Sequence, residues 1–217
     1  MNRCPTVRSS GPGGPRCSPP ALTTAMKLTV LPVTPDRWPD LEAVFTARGC
    51  SVARGCWCMA YRRSGAPKPL PAGMSRAEAN RADIKALVDA GKSPGLIAYH
   101  GNIPVGWVSL APRDEFTKLK RSPVMKPVDD KPVWSIICFV VPSPHRGQGV
   151  AHALLHGAIA YARKHGATLI EAYPVDKTSR SSDDAMWFGA KSMYDRAGFK
   201  EVARRKPTRP VVRLKLR

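Results

Sequence analysis

An α/β fold with a mixed central sheet is the architecture that the sequence predicts, and three observations carry that expectation. Gly95 to His100 and Val105 to Ala111 read as two strands joined by Gly101-Asn102, a two-residue β-hairpin signal. Val133 to Val141 is apolar apart from Ser135, as in a strand buried on both faces, and a glycine turn and a helix follow it. Near the C-terminus, Val212, Leu214 and Leu216 alternate with Arg213, Lys215 and Arg217, the period of a half-buried strand with one basic, solvated face.

The remaining elements fall into place between these. Lys27 to Val33 reads as a strand that ends at Pro35, and Asp36 or Pro39 opens a helix through Leu41, Val44 and Phe45. A turn containing Gly and Cys spans Arg48 to Arg63, and a Pro-rich loop spans Gly65 to Gly73. Ser75 caps a helix through Ala77, Ile84, Leu87 and Val88 that stops at Gly91, with Glu78 placed to complete a capping box. A basic loop leads to the strand at Val133–Val141. After the glycine turn come a helix to His165, closed by Gly166, and a strand from Thr168 to Tyr173. A helix from Asp183 to Ala197, closed by Gly198, puts Trp187, Ala190 and Tyr194 on one face. Strands at Phe199–Ala203 and Val211–Leu216 end the chain.

Composition bounds the domain. With 217 residues, 43% of them hydrophobic and 24% charged, the chain suits one globular domain. Residues 1–25 differ: rich in Pro, Gly, Ser and Arg and free of acids, they predict a disordered N-terminal extension before a domain over 26–217. That stretch has the basic, hydroxylated character of a short transit peptide. The favoured reading is an extension upstream of a start at Met26, and the domain is expected in the cytoplasm. No apolar run approaches the ~20 residues of a membrane-spanning helix. Six cysteines at irregular spacing predict reduced thiols, and no metal site is expected from them or from the five histidines.

The net charge of +19 attracts polyanions, so nucleic acid or a phosphorylated small molecule both fit it. From Lys191 onward, ten Lys and Arg face only Asp195 and Glu201. The charge is spread rather than blocked, and no RNP-like motif, helix-turn-helix or zinc finger accompanies it, which disfavours nucleic-acid binding.

The chemistry concentrates at Arg146-Gly147-Gln148-Gly149-Val150-Ala151. Glycines at a helix N-terminus let backbone N–H groups approach an anion, and the helix dipole favours negative charge there. The pattern is neither a GxxxxGK[ST] loop nor a three-glycine dinucleotide fingerprint. Its setting after a buried strand, opening a helix with Val150, Leu154, Ala158 and Tyr161 on one side, suits pyrophosphate.

This stretch resembles motif A of the GNAT superfamily of N-acetyltransferases, R/Q-x-x-G-x-G/A, with Arg146, Gly149 and Ala151 at the signature positions. Tyr194-Asp195-Arg196-Ala197-Gly198-Phe199 resembles the family's Y-x-x-x-G-F, and Gly55-Cys56-Trp57-Cys58-Met59 is similar to a segment of a bacterial subset. The resemblance implies a mostly antiparallel sheet flanked by helices and acetyl-CoA as cosubstrate. By the same resemblance the backbone of Phe139, Val140 and Val141 would hold the pantetheine arm. The N–H groups of Gly147, Gln148, Gly149, Val150, Ala151 and His152 would hold the pyrophosphate, with Arg146 beside them. Tyr194 would protonate the departing thiolate, and the Val141 N–H would polarise the thioester carbonyl. Glu171, on the strand after motif A, is the candidate base, with a solvated or ion-paired strand carboxylate as its plainer reading; Asp129 and Asp130 precede the central strand and read equally as bases or as turn residues.

The acceptor implied is an amine, small-molecule or protein, attacked directly; antibiotic, polyamine, amino acid and protein amine all stay open. A non-catalytic acyl-CoA-binding module is the competing reading, and relatives of this kind occur as monomers or homodimers.

Overall fold

Among the described residues, one strand, three α-helices, three strands, an α-helix, a strand, a short α-helix and two strands follow one another along the chain. The computed structural model describes residues 27–65, 69–177 and 186–216; the extension expected over 1–25 lies outside the described residues. Seven strands form one sheet: β1 (Leu28–Pro32), β2 (Gly95–His100), β3 (Ile103–Pro112), β4 (Trp134–Val140), β5 (Leu169–Ala172), β6 (Lys200–Lys206) and β7 (Arg209–Lys215). Their order is β1-β2-β3-β4-β5-β7-β6, and every neighbouring pair is antiparallel except β4 and β5.

That exception sets the layout. Parallel strands cannot be joined by a tight turn and need a crossover, usually a helix; α4 (Val150–Lys164) is that crossover. The antiparallel neighbours use short links where the sequence signals them. Gly101-Asn102 turns β2 into β3, with His100 opposite Ile103 and Gly101 at φ +58°.

Helices cover both faces. On one side α1 (Trp38–Thr46), α2 (Ser51–Cys56) and α3 (Arg76–Asp89) pack their apolar residues over Trp107, Ile137 and Tyr173. On the other, α4 and the short α5 (Lys191–Arg196) cover Val108, Leu110, Phe139 and Val212. The capping box of α3 forms as its sequence predicts. Ser75 Oγ accepts from the Glu78 N–H at 3.2 Å, and Glu78 Oε2 accepts from the Ser75 N–H at 2.7 Å. Among the described residues no helix is long and apolar enough to cross a membrane.

Three expectations change. The turn expected over Arg48–Arg63 contains α2, which ends because Trp57 and Cys58 take left-handed backbones, φ +46° and +51°. The gain is aromatic packing: the Trp57 ring stacks on Phe45 at 4.8 Å and on Trp38 at 5.9 Å.

The helix expected from Asp183 begins only at Lys191, with residues 183–185 outside those described. Trp187 therefore shares no helical face with Tyr194. Backbone groups before Lys191 are engaged elsewhere: the Trp187 carbonyl accepts from Phe139 N–H and the Gly189 carbonyl from Val175 N–H. Gly189 at φ +77° turns the chain between them.

Finally, β7 does not have one solvated face. Val211 enters one apolar layer and Val212 the other, and Arg213 is buried at 8% exposure.

One close approach yields a test. A Cβ on Gly157 of α4 would lie 2.5 Å from Val30 Cγ1 of β1. Helix propensity alone favours Gly157→Ala by about 1 kcal/mol, whereas overpacking costs about 1–3 kcal/mol. Gly157→Ala should therefore lower the urea-unfolding midpoint; a raised midpoint would mean that α4 sits farther from β1.

Candidate active site

The site begins where two strands part. β4 and β5 pair only at Trp134–Ile170, Ser135–Glu171 and Ile136–Ala172, after which β5 ends and β4 runs on to Val140. The far half of β4 thus keeps one edge without a neighbouring strand. There the Phe139 N–H donates to the Trp187 carbonyl at 2.6 Å. Backbone alternation sends the Val141 N–H to the same edge as that of Phe139.

β4 leads into the glycine turn. Gly147 and Gly149 take φ +74° and +81°, a region costly for other residues, and a Cβ on either would meet nothing within 4 Å. Gly147, Gln148 and Gly149 are exposed, so the bend is open to solvent rather than sealed. Gly149 is the N-cap of α4 and no side chain caps the helix. The first turn of a helix has no intrahelical partners for its N–H groups, and here those of Val150, Ala151 and His152 begin a 15-residue helix. Its N-terminus carries about half a positive charge. Uncapped donors beside exposed glycines fit a diphosphate.

Arg146 acts on the loop itself. Its Nε donates to the Val141 carbonyl at 3.0 Å and its Nη2 to the Gly49 carbonyl at 2.7 Å. Gly49 takes φ +82°, and a Cβ there would sit 2.9 Å from Ser143 Cβ. The Ser143 N–H donates in turn to the Arg48 carbonyl at 3.0 Å. Gln148 Nε2 closes the turn onto the Pro144 carbonyl at 2.8 Å. Beyond the helix start, Arg196 Nη2 donates to His152 Nε2 at 2.8 Å. Burial and then Arg196 lower the pKa of His152, so its ring is held neutral as the acceptor of that bond.

A cavity of roughly 400 Å³ runs along the open edge of β4. It touches Arg146 and Ala151 at the start of α4, and Tyr61 and Lys118 elsewhere on its wall. Cys50, Cys56, Cys58 and Cys138 all line it and are all unbridged. The left-handed Trp57–Cys58 step explains this, because it buries the indole and leaves both flanking thiols on the cavity. The neighbouring Cys58 thiol, then burial, push the Cys56 thiol far up, so it is protonated. No group of three or more His, Cys, Asp or Glu among the described residues is placed to hold a metal ion.

Tyr194 and Glu171 do not line this cavity. The Tyr194 side chain is fully buried, its ring edge-on to Phe139 and Phe199, and its hydroxyl donates to the Phe188 carbonyl at 2.9 Å. Burial, and then the nearby Cys138, raise its pKa, so it is protonated. The Trp187–Gly189 segment stands beside it: a Cβ on Gly189 would lie 3.2 Å from the Tyr194 ring.

The base expected at Glu171 is corrected by its surroundings. Glu171 has no exposure, accepts from Arg213 Nε at 2.8 Å and from the Tyr173 hydroxyl at 2.7 Å, and faces Arg113 at 3.7 Å. Burial and then this carboxylate push the Tyr173 phenol well up, keeping it a donor. Asp129, weighed as a base or a turn residue, takes the other side of Arg213 at 2.7 Å and is pulled down to about 2 by that hydrogen bond. Two arginines and a phenol close the Glu171 carboxylate in.

Fold and site together define an α/β protein with an uncapped helix N-terminus beyond the end of a strand and a cavity beside it. The chain belongs to the acetyltransferase (GNAT) family, whose model matches residues 59–199. No curated protein matches it. Solved structures share the fold at low identity. An acetyltransferase of the GNAT family from Listeria monocytogenes is 10% identical, covering 89% of this chain and 97% of its own, with a TM-score of 0.53. An N-acetyltransferase from Staphylococcus aureus is 13% identical over 88% of this chain and 99% of its own, at 0.50. A chain of the NatC complex bound to Gag peptide and CoA is 14% identical over 88% and 100%, at 0.50.

Sequence reading missed Gly49, Tyr61, Lys118 and Arg196 as neighbours of the site. Only Gly49 carried a usable signal, a glycine in a turn. The corrected role of Glu171 is testable. Breaking a buried ion pair by removing one partner costs about 3–5 kcal/mol, and Asp129 remains on Arg213. Glu171→Gln should therefore lose about 3 kcal/mol of unfolding free energy, while the folded fraction keeps its acyl-transfer rate per site. A large rate loss without loss of stability would restore it as the base.

Proposed function

We propose that this chain is an N-acetyltransferase that moves an acetyl group from acetyl-CoA to an amine by direct attack. The observation that carries the reading is the uncapped N-terminus of α4, with Gly147 and Gly149 exposed, opening next to the cavity along the free edge of β4. The NatC complex with this fold binds CoA, and its likeness to this chain supports the same donor here. When bound, acetyl-CoA supplies a thioester carbonyl, which an uncharged amine converts to an amide with release of the thiol.

In this reading the N–H groups from Gly147 through His152 receive the diphosphate. Arg146 keeps the loop in shape by bracing Val141 and Gly49 rather than by pairing with phosphate. The Phe139 N–H is the donor for the pantetheine arm, which takes the place of the Trp187 carbonyl. The Val141 N–H, on the same edge, donates to the carbonyl oxygen as charge develops on it. As the C–N bond forms and the C–S bond breaks, the amine gives up a proton and the sulfur gains one. Tyr194 is assigned the proton to sulfur, which it can deliver once the Trp187–Gly189 segment moves off Phe139. Glu171 is left out of the transfer, and the acceptor is deprotonated by solvent.

Two substitutions at Gly149 test the cradle. Asn tolerates a left-handed backbone, so Gly149→Asn adds mainly bulk, whereas Gly149→Val adds strain as well. Both should weaken CoA binding in calorimetry, Val by tenfold or more, about 1.4 kcal/mol; unchanged affinity in both would remove the cradle. Proton donation by a positioned side chain contributes about 10²–10⁴-fold. Tyr194→Phe should thus lower kcat on that scale and leave the KM for acetyl-CoA near its starting value. An unaltered kcat would end the acid role of Tyr194.

A further inference from the structure

The charge inside the cavity says what kind of amine it accepts. Among the described residues that line it, only Lys118 and Arg146 are charged, and both are cations. The Arg146 guanidinium is engaged by the carbonyls of Val141 and Gly49. The Lys118 ammonium is exposed and lies 5.6 Å from the centre of the Tyr61 ring. Its backbone is fixed there, because the Lys118 N–H donates to the Tyr61 carbonyl and Thr117 Oγ1 to the Arg62 carbonyl. Among the described residues no carboxylate pairs with it. The nearest acids along the chain are taken: Asp114 faces Lys120 and Glu115 pairs with Arg62.

A second cation stands behind the same aromatic wall. The Arg209 guanidinium packs over the Phe188 ring at 4.7 Å, and Phe188 meets Tyr61 edge to face at 5.6 Å. Among the described residues no acid pairs with Arg209, and its Nη1 is buried without a hydrogen-bond partner. Burial accordingly lowers its pKa. The rest of the wall in this region, Val52, Ala53, Ala60, Met186 and Trp187, is apolar. A positive field over apolar walls, with no acid among the described residues of the lining, attracts an anionic group and repels a polycation.

We infer that the acceptor is an amine on an apolar body that also carries a carboxylate, set against Lys118 with Arg209 adding positive potential from behind Phe188. The inference rests on the acetyltransferase reading and narrows it. A polyamine would bring a second ammonium toward Lys118 with no carboxylate among the described residues of the wall to receive it. An amino acid with an apolar side chain, or an aryl amino-carboxylate, matches both the walls and the charge.

The test measures CoA release at saturating acetyl-CoA with phenylalanine, leucine and 4-(aminomethyl)benzoate, the methyl ester of each, and spermidine. At least one free carboxylate should exceed its ester and spermidine by roughly tenfold in kcat/KM, the scale of a charge pair helped by a second cation. Lys118→Glu should erase that preference through the KM of the acceptor, leaving the KM for acetyl-CoA as it was, and Lys118→Arg should retain it. Esters or spermidine acetylated as well as the carboxylates, or a preference that survives Lys118→Glu, overturn the inference. So does a protein that binds CoA yet acetylates none of the carboxylates, and that result leaves the coenzyme site standing. A native protein that binds no CoA instead removes the reading beneath it, so calorimetry with CoA separates the two failures.

Discussion

Three paired residues hold β4 against β5, and the site forms where that short pairing stops. Because the pair is parallel, the chain must cross over between the strands, and α4 does so after the short glycine-containing loop that follows β4. The crossover delivers an uncapped helix N-terminus to the tip of the strand. The early end of β5 leaves backbone donors of β4 facing a cavity instead of a neighbour. An uncapped helix start and an unpaired strand edge are thus two consequences of one topological choice. Neither needs a catalytic side chain to exist.

Buried charge keeps β5 on its course. Glu171 on β5 faces Arg213 on β7, and Arg213 reaches Asp129 in the long loop before β4. The Tyr173 hydroxyl joins Glu171 to Ser135 on β4. Charges out of water need well-placed partners to be tolerated, and here the arginines and the second carboxylate come from β7 and from the loop before β4. The network therefore fixes the register of β5 between β4 and β7 just where the strands begin to part. It also ties down the loop that carries Lys118, since Arg113 and Asp129 border that loop on either side.

The excess of basic residues has mixed uses. Arg205 donates to the carbonyls of Val124, Lys126 and Pro127, and Arg204 bridges Glu201 and Asp176. Those arginines hold loops in place. Lys118 and Arg209, with no carboxylate partner among the described residues, differ from them in leaving positive charge beside the cavity. A net charge of +19 therefore counts structural braces and a local field together, and only the placement of each side chain separates them.

Short-range patterns in the sequence were sufficient for much of this. Gly101-Asn102 specifies a hairpin, Ser75 and Glu78 specify a helix start, and Gly147 with Gly149 specifies an open turn, because each depends on residues within a few positions of one another. Strand existence was equally legible, yet the face of Arg213 was not. An alternating pattern tells which residues share a side, while the cover on that side comes from elsewhere, here Glu171, 42 residues away. The helix expected from Asp183 failed for a similar reason: Trp187 and Gly189 give their carbonyls to β4 and to Val175, partners that helix periodicity does not register. Arg146 and Gly49 lie 97 positions apart and still make one loop. Residue order alone specifies the elements, their caps and the open glycine turn, since local backbone preference decides those. Which charges are buried anchors, which thiols face the cavity and which lysine guards it depend on the folded chain, because these properties arise from contacts between segments that share no local pattern.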